Sequence, residues 1–281
     1  MKKALTIVLL TVIALTSGAM TRRALVFGLG KQADPMWGHI HGDNDIVYVL
    51  QLLQRMGYTD VTTLKNEQAT KQAMADAFTA LANRCEQGDR VYIHYSGHGQ
   101  LMTDVDGDEA LKWNNSHSQW DESWIPYDAY MNYGPNDQGE KHLCDDEIAR
   151  YLQAIRKKIG QRGELVVVVD ACHSGDATCA NGDEDEECVR GVDTKFSIPL
   201  QPERPTPQPI EESWRTISAC KPFQLSTEIK DKQVGKLTYA LYKLGPMAHY
   251  QSNQRLEDAL NAFMEQHQGR LKQTPMVSGK K

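Results

Sequence analysis

Two apolar runs that each stop at a reactive side chain constrain this chain more than any other feature. Val91-Tyr92-Ile93-His94-Tyr95-Ser96 runs into Gly97-His98-Gly99. Leu165-Val166-Val167-Val168-Val169 runs into Asp170-Ala171-Cys172-His173-Ser174-Gly175. Short continuous apolar runs rich in β-branched residues read as strands buried on both faces, as in a parallel sheet covered by helices. Ligands of open α/β sheets bind beyond the carboxyl ends of the strands. A His and a Cys delivered to that edge form a base and nucleophile pair, because a thiol needs a neighbouring base or cation to become a thiolate near neutral pH. His173 is a rival base, but neighbours on a strand point to opposite sides, which favours His98. Read singly, the same residues are a structural cysteine and a turn histidine.

The rest of the chain alternates in the manner of an α/β domain. Ala24 to Gly30 reads as the first strand. Asp43-Asn44-Asp45 offers N-caps to a helix through about Met56, with Ile46, Val49, Leu50 and Leu53 on one face. A strand follows near Val61 to Leu64. A helix over Thr70 to Cys85 carries Met74, Ala77, Phe78 and Leu81 on its apolar face. Residues 100 to 142 are polar and rich in Asp, Asn and Trp, and read as an elaborated loop. Asp145-Asp146-Glu147 opens a helix to about Ile159 that ends in Arg156, Lys157 and Lys158, charges that suit the helix dipole at both ends. Residues from about 176 to 212 turn acidic and then Pro-rich, and read as a mobile surface linker. Trp214 to Cys220 reads as a fifth strand. Helices follow over Lys236 to Leu244 and Leu256 to Gln266, and Gln273 to Val277 as a sixth, edge strand. The sum is a mostly parallel six-stranded sheet with helices on both faces.

Composition excludes little but is consistent. The 281 residues carry a formal net charge of -6, which argues against a nucleic-acid partner, since such proteins present a clustered basic face. Lys2 and Lys3 precede an apolar run from Ala4 to Leu15 and then Ser17-Gly18-Ala19. This is the pattern of a secretory signal peptide over 1–19, with a folded domain over 20–281 and a periplasmic or extracellular destination. The run is shorter than the roughly 20 residues of a stable membrane span. An oxidising compartment permits disulfides among the six cysteines, and Cys179 and Cys188 bracket an acidic loop and could pair. Gly28-Leu29-Gly30 superficially matches a dinucleotide fingerprint, but Asp34-Pro35 interrupts and no helix opens directly after the glycines.

Tyr95-Ser96-Gly97-His98-Gly99 and Asp170-Ala171-Cys172-His173-Ser174-Gly175 resemble the two catalytic motifs of the metacaspases, within the caspase-like cysteine peptidases. Softer likenesses extend over most of the chain, at Arg23 to Gly28, Gly42 to Asp45, Asp106 to Glu109, Asp121-Glu122, Pro126-Tyr127-Asp128, Ile217 to Cys220 and Gly235 to Leu241. The resemblance, to a bacterial, secreted member, implies a caspase-like three-layer sandwich and a thiol endopeptidase. It implies that Cys172 attacks the scissile carbonyl, that His98 carries the proton to the leaving amine, and that the N–H groups of Gly99 and Cys172 hold the oxyanion. It implies that Asp170, with Ser96 nearby, lines a specificity pocket for a substrate Arg or Lys, which a buried carboxylate matches through charge-assisted hydrogen bonds. The family carries a further acid after the fifth strand. Here that stretch reads Cys220-Lys221-Pro222-Phe223-Gln224, and Glu228 lies farther along.

No cofactor is required by this reading. The resemblance places calcium ligands at Asp121, Asp145 and Asp146, where carboxylates suit a hard cation. A fourth acid of the family reads Cys179 here, and Asp176 is the nearest alternative. Arg190, Lys195 and Arg204 in the linker are self-cleavage candidates if the pocket takes basic residues. The competing function is a catalytically silent caspase-like binding module that keeps the fold without turnover.

Overall fold

The computed structural model describes residues 20–109, 119–172, 188–201, 203, 205–207, 210–222 and 224–280. The chain begins with β1 (Arg22–Gly28), α1 (Gly42–Arg55), β2 (Asp60–Lys65), α2 (Lys71–Arg84) and β3 (Arg90–Ser96). A side sheet comes next, of β4 (Gly99–Thr103), β5 (Trp120–Trp124) and β6 (Leu143–Cys144). Then come α3 (Asp145–Ile159), β7 (Glu164–Asp170) and β8 (Arg215–Ser218). The chain ends with β9 (Glu228–Ile229), β10 (Val234–Gly235), α4 (Lys236–Leu244), α5 (Pro246–His249), α6 (Asn253–Gln266) and β11 (Met276–Gly279).

The main sheet has the order β11-β8-β7-β3-β1-β2. All its pairs are parallel except β11 with β8 at the edge. The apolar runs at β3 and β7 lie side by side at its centre because each can be buried on both faces. One face is closed by α2 and α3, through Met74, Phe78, Leu81, Ile148, Leu152 and Ile155. The other is closed by α1, α4 and α6, through Val49, Leu53, Leu237, Leu241, Leu256 and Leu260. This is a three-layer α/β sandwich. No helix among the described residues is long and apolar enough to cross a membrane.

The register of the central pair sets the position of the reactive side chains. Ser96 stands opposite Asp170, so His98 and Cys172 both lie two positions beyond the last matched pair, at the same carboxyl edge.

Two sequence-based expectations need correction. Residues 100–142 are not one loop: β4 and β5 pair from Gly99↔Trp124 to Thr103↔Trp120, and β6 joins β5. The linker is not mobile throughout. Val189, Arg190, Gly191, Val192 and Phe196 are buried, and the segment bridges to β4 at Gly99↔Gly191 and Met102↔Phe196. Burial of an Arg, a Val and a Phe there offsets the entropy a free loop would have kept. The signal-peptide pattern over 1–19 lies outside the described residues.

Phe78 shows how the α2 face is held. Its ring stacks on Tyr151 at 5.1 Å and tilts against Phe27 at 5.4 Å. Phe78→Ala is expected to lower unfolding stability by about 3–5 kcal/mol through lost transfer energy and the cavity left behind. Urea denaturation measures it, and a loss under about 0.5 kcal/mol, the scale of an ordinary surface change, would contradict this packing.

Candidate active site

Cys172 lies two residues past the end of β7 and is a thiol, not part of a disulfide. His98 sits between β3 and β4, wholly buried. Its Nε2 lies 2.7 Å from the carbonyl oxygen of Gly38. A carbonyl only accepts, so Nε2 carries the hydrogen and Nδ1 keeps its lone pair. That Nδ1 is buried and has no hydrogen-bond partner. The Trp37 ring lies 5.2 Å from the imidazole. Burial pushes the His98 pKa down to about 4, with Gly38's hydrogen bond and Glu228 opposing. The ring is therefore neutral at pH 7 and presents one unoccupied basic nitrogen.

The backbone N–H groups of Gly99 and Cys172 converge on a single acceptor. It is the carbonyl oxygen of Arg190, at 3.3 Å from Gly99 N and 3.0 Å from Cys172 N. The next residue, Gly191, is so close to Cys172 that a Cβ on it would stand 2.6 Å from Cys172 Sγ.

The Arg190 side chain fills an acidic pocket behind the sheet edge. Its Nη1 and Nη2 donate to Asp45 at 2.6 and 3.1 Å. Nε and Nη2 reach Glu228 at 3.0 and 2.9 Å. Nη1 also approaches Asp170 Oδ2 at 3.6 Å. All three guanidinium nitrogens are thereby engaged by carboxylates from three different segments. Burial works against the Arg190 charge, but Asp45, Asp170 and Glu228 outweigh it and hold its pKa well above the ordinary value.

The carboxylates are themselves held in place. Asp170 accepts from Ser226 Oγ at 2.9 Å, and from Thr238 N and Oγ1 at 2.8 and 2.7 Å. Asp45 accepts from Ser96 Oγ at 2.7 Å and Gly235 N at 3.0 Å. Burial would raise the Glu228 pKa, but Arg190 and His41 hold it down at about 2. His41 Nδ1 sits 2.6 Å from Glu228.

Of the predicted residues, Asp170 is in this pocket and Ser96 borders it by holding Asp45. Sequence reasoning missed Asp45 and left Glu228 unassigned. The sequence reads Asp45 as a helix-capping acid, but the N-cap of α1 is His41, with no side-chain cap bond, and Asp45 faces inward instead. The only sequence signal for it is the match of Gly42 to Asp45 to the family's helix start. Arg190 also needs correction as a surface residue: it is fully buried. Lys195 is exposed, over the Trp120 ring at 4.6 Å. Arg204 lies outside the described residues. Cys188 is disulfide-bonded, and Cys179, its expected mate, lies outside them too.

A second acidic cluster sits on the side sheet. Asp121 of β5 gathers with Asp104 and Asp108, and Asp146 at the start of α3 gathers with Asp106 and Asp108. Within each trio the carboxylate oxygens lie within 4.8 Å of one another. Asp121 Oδ1 and Asp145 Oδ1 are buried without a hydrogen-bond partner. Burial first, then Asp104 and Asp146, push the Asp121 pKa up to about 8. Asp145 is pushed up by burial and by Asp121. Crowded carboxylates with orphaned oxygens fit a hard divalent cation, which takes several oxygen ligands. The Asp104–Asp108 loop, which lacks an EF-hand's spacing, joins two of the three predicted ligand positions, Asp121 and Asp146, while Asp145 belongs to neither trio. Asp176 and Cys179 lie outside the described residues.

Comparison with known proteins agrees with this architecture. A family model described as the caspase domain matches residues 21–281. Metacaspase-1 of Schizosaccharomyces pombe is 30% identical over 167 residues, 56% of this chain and 34% of that protein. Metacaspase-1 of Mycosarcoma maydis is 32% identical over 165 residues, 56% of this chain and 36% of that protein. The chain thus spans about a third of the length of these curated relatives. A solved protein of Geobacter sulfurreducens superposes with a TM-score of 0.61 at 20% identity, covering 93% of this chain and 94% of the other. Caspase-1 of Spodoptera frugiperda superposes with a TM-score of 0.54 at 12% identity, covering 92% and 86%. With the family model spanning everything from Thr21 to the last residue, the chain belongs to the caspase-domain family of peptidases.

Proposed function

We propose that this chain is a cysteine endopeptidase that cleaves after Arg, and that its own Arg190–Gly191 bond is its first substrate. The observation that carries the reading is the Arg190 carbonyl accepting both the Gly99 and Cys172 N–H groups while its side chain fills the acidic pocket. Two donors aimed at one carbonyl oxygen are what a tetrahedral oxyanion requires, and removing one such donor costs about 10²–10³ in rate in enzymes of this chemistry.

In the reaction, His98 Nδ1 takes the Cys172 thiol proton. The sulfur forms a bond to the Arg190 carbonyl carbon, and the oxygen takes up negative charge between the two N–H groups. The bond to Gly191 N breaks as the imidazolium returns the proton to the leaving amine. Water, deprotonated by the same nitrogen, then attacks the thioester carbon. The products are a carboxylate at Arg190, an amine at Gly191 and the regenerated thiol. The Gly38 carbonyl fixes the tautomer, so Nδ1 is the nitrogen free to work.

A substrate in trans presents Arg to the same three carboxylates. Lys has one compact ammonium and cannot engage Asp45 and Glu228 from separate nitrogens. Hydrolase activity on peptide or protein substrates in an exported compartment is the full reading. A silent binding module would keep the pocket and leave the bond whole.

Intact-mass measurement on freshly translated chain tests this. Wild type is expected to break between Arg190 and Gly191, Cys172→Ala to stay whole, and Arg190→Lys to cut about tenfold or more slowly, as charge-assisted hydrogen bonds are lost. A wild-type chain that stays whole and fails to react with a peptidyl-Arg electrophile would overturn the peptidase reading.

Calcium belongs to the same proposal. Asp121, Asp145 and Asp146, with Asp104, Asp106 and Asp108, would hold it, and its charge would relieve the repulsion among them. It takes no part in bond cleavage. Calcium at a hundred times its Kd is expected to stabilise Cys172→Ala protein by about 2.7 kcal/mol by mass action, read as a rise in Tm. Asp121→Asn should remove most of the rise, and an unchanged Tm in the parent protein would refute the site.

A further inference from the structure

Beyond Arg190 the docked segment changes partner, and the change falls at the bond proposed for cleavage. Before that bond it pairs antiparallel with residues 226–228: Arg190 N donates to Ser226 O at 2.9 Å, and Glu228 N donates to Cys188 O at 3.1 Å. After it, the segment runs parallel to β4, bridging at Gly99↔Gly191 and Met102↔Phe196. Gln100 Nε2 donates to Thr194 O at 2.8 Å, and Phe196 N donates to Leu101 O at 2.8 Å. The leaving-group side is therefore held by a track of its own.

The first side chain on that track is swallowed. Val192 is 5% exposed and packs with Trp37, Ile125, Ala129 and Met131. These walls are fastened independently of Val192. Trp37 Nε1 donates to Ala129 O at 3.0 Å, Met131 N donates to Asp34 Oδ2 at 2.9 Å, and Ile125 N donates to Tyr95 Oη at 2.9 Å. This apolar cluster is separate from both main cores. It touches the catalytic edge, since Trp37 also covers the His98 ring.

We infer that this pocket is a second specificity site, reading the second residue after the cleaved bond and accepting an aliphatic side chain, with glycine required between. This rests on the peptidase reading above. Gly191 is dictated by contact: a Cβ there would meet the Cys172 carbonyl oxygen and sulfur, atoms fixed at the strand end. The aliphatic choice follows from the side chains of Trp37, Ile125, Ala129 and Met131 that pack on Val192, against which a polar or charged side chain gains no compensating hydrogen bond. The substrate class is Arg-Gly followed by Val or a near isostere. Binding energy gathered there, away from the reacting atoms, holds the scissile carbonyl against the two N–H groups.

The test measures first-order cutting between residues 190 and 191 during cell-free translation, read under reducing conditions. Labelling of Cys172 by a peptidyl-Arg electrophile, which occupies only the Arg side of the site, is measured in parallel on the same variants carrying Arg190→Ala, so that the chain's own arginine does not block the pocket. Val192→Ile is expected within about threefold of wild type. Val192→Asp is expected at least about thirtyfold slower, while labelling stays at or above the wild-type rate; one misfit in an apolar site is worth roughly 10–200-fold. Should Val192→Asp lose labelling by misfolding, Val192→Thr decides, since it keeps the shape and replaces one methyl with a hydroxyl; it should cut several-fold slower with labelling intact. Wild-type cutting rates in whichever of these variants still label would overturn the subsite and leave the Arg pocket standing. A wild-type chain that neither cuts nor labels would overturn the peptidase reading itself.

Discussion

A guanidinium sealed among three carboxylates is the interaction on which the rest depends. An unpaired charge in a protein interior costs several kcal/mol, and a buried pair is stable only when its geometry and remaining hydrogen bonds are satisfied. Here Asp45 comes from α1, Asp170 from the end of β7, and Glu228 from β9. His41 serves Glu228 from one side; Arg190 serves all three. Were the Arg190 segment to depart, the pocket would be left with excess negative charge for another cation to answer. The same carboxylates thus explain why the linker docks in the intact chain and why an Arg substrate would be recognised afterwards.

The sheet turns that charge pairing into chemistry. Parallel pairing of β3 and β7 sets Ser96 beside Asp170, and the second residue beyond each is the imidazole or the thiol. Asp170 is buried behind this edge with its hydrogen bonds filled by Ser226 and Thr238, so residues on both sides of the linker build one pocket. The polypeptide entering that pocket must then pass its carbonyl across Gly99 N and Cys172 N. On the peptidase reading, this position is what would bring the Arg190 carbonyl to the Cys172 thiol.

Much of this was legible in the sequence. Apolar runs of Val91 to Tyr95 and Leu165 to Val169 can be little other than central strands, and the placement of the residues at their ends comes with the fold. The helix over Asp145–Ile159 was readable to the residue because acids and bases mark its two ends. Asp45 was not, because an acid in a first helical turn already has a sufficient explanation in the helix dipole, and only the tertiary fold shows it facing inward. The β4–β5 pair was hidden because Gln100, Asp121, Glu122 and Ser123 interrupt any apolar alternation. Val192 and Phe196 were hidden for a different reason: isolated apolar residues between an acidic run and a proline-rich run carry no periodicity, and their burial depends on grooves built by distant segments.

The central claim, that the acidic pocket is a recognition site occupied by the chain's own arginine, can be measured without turnover. In a Cys172→Ala background no bond is cut, and Arg190→Ala empties the pocket. Agmatine, a free guanidinium compound, should raise the Tm of the Cys172→Ala/Arg190→Ala protein in a dose-dependent way and leave Cys172→Ala protein unmoved. Equal response of the two proteins, or none in either, would contradict the account.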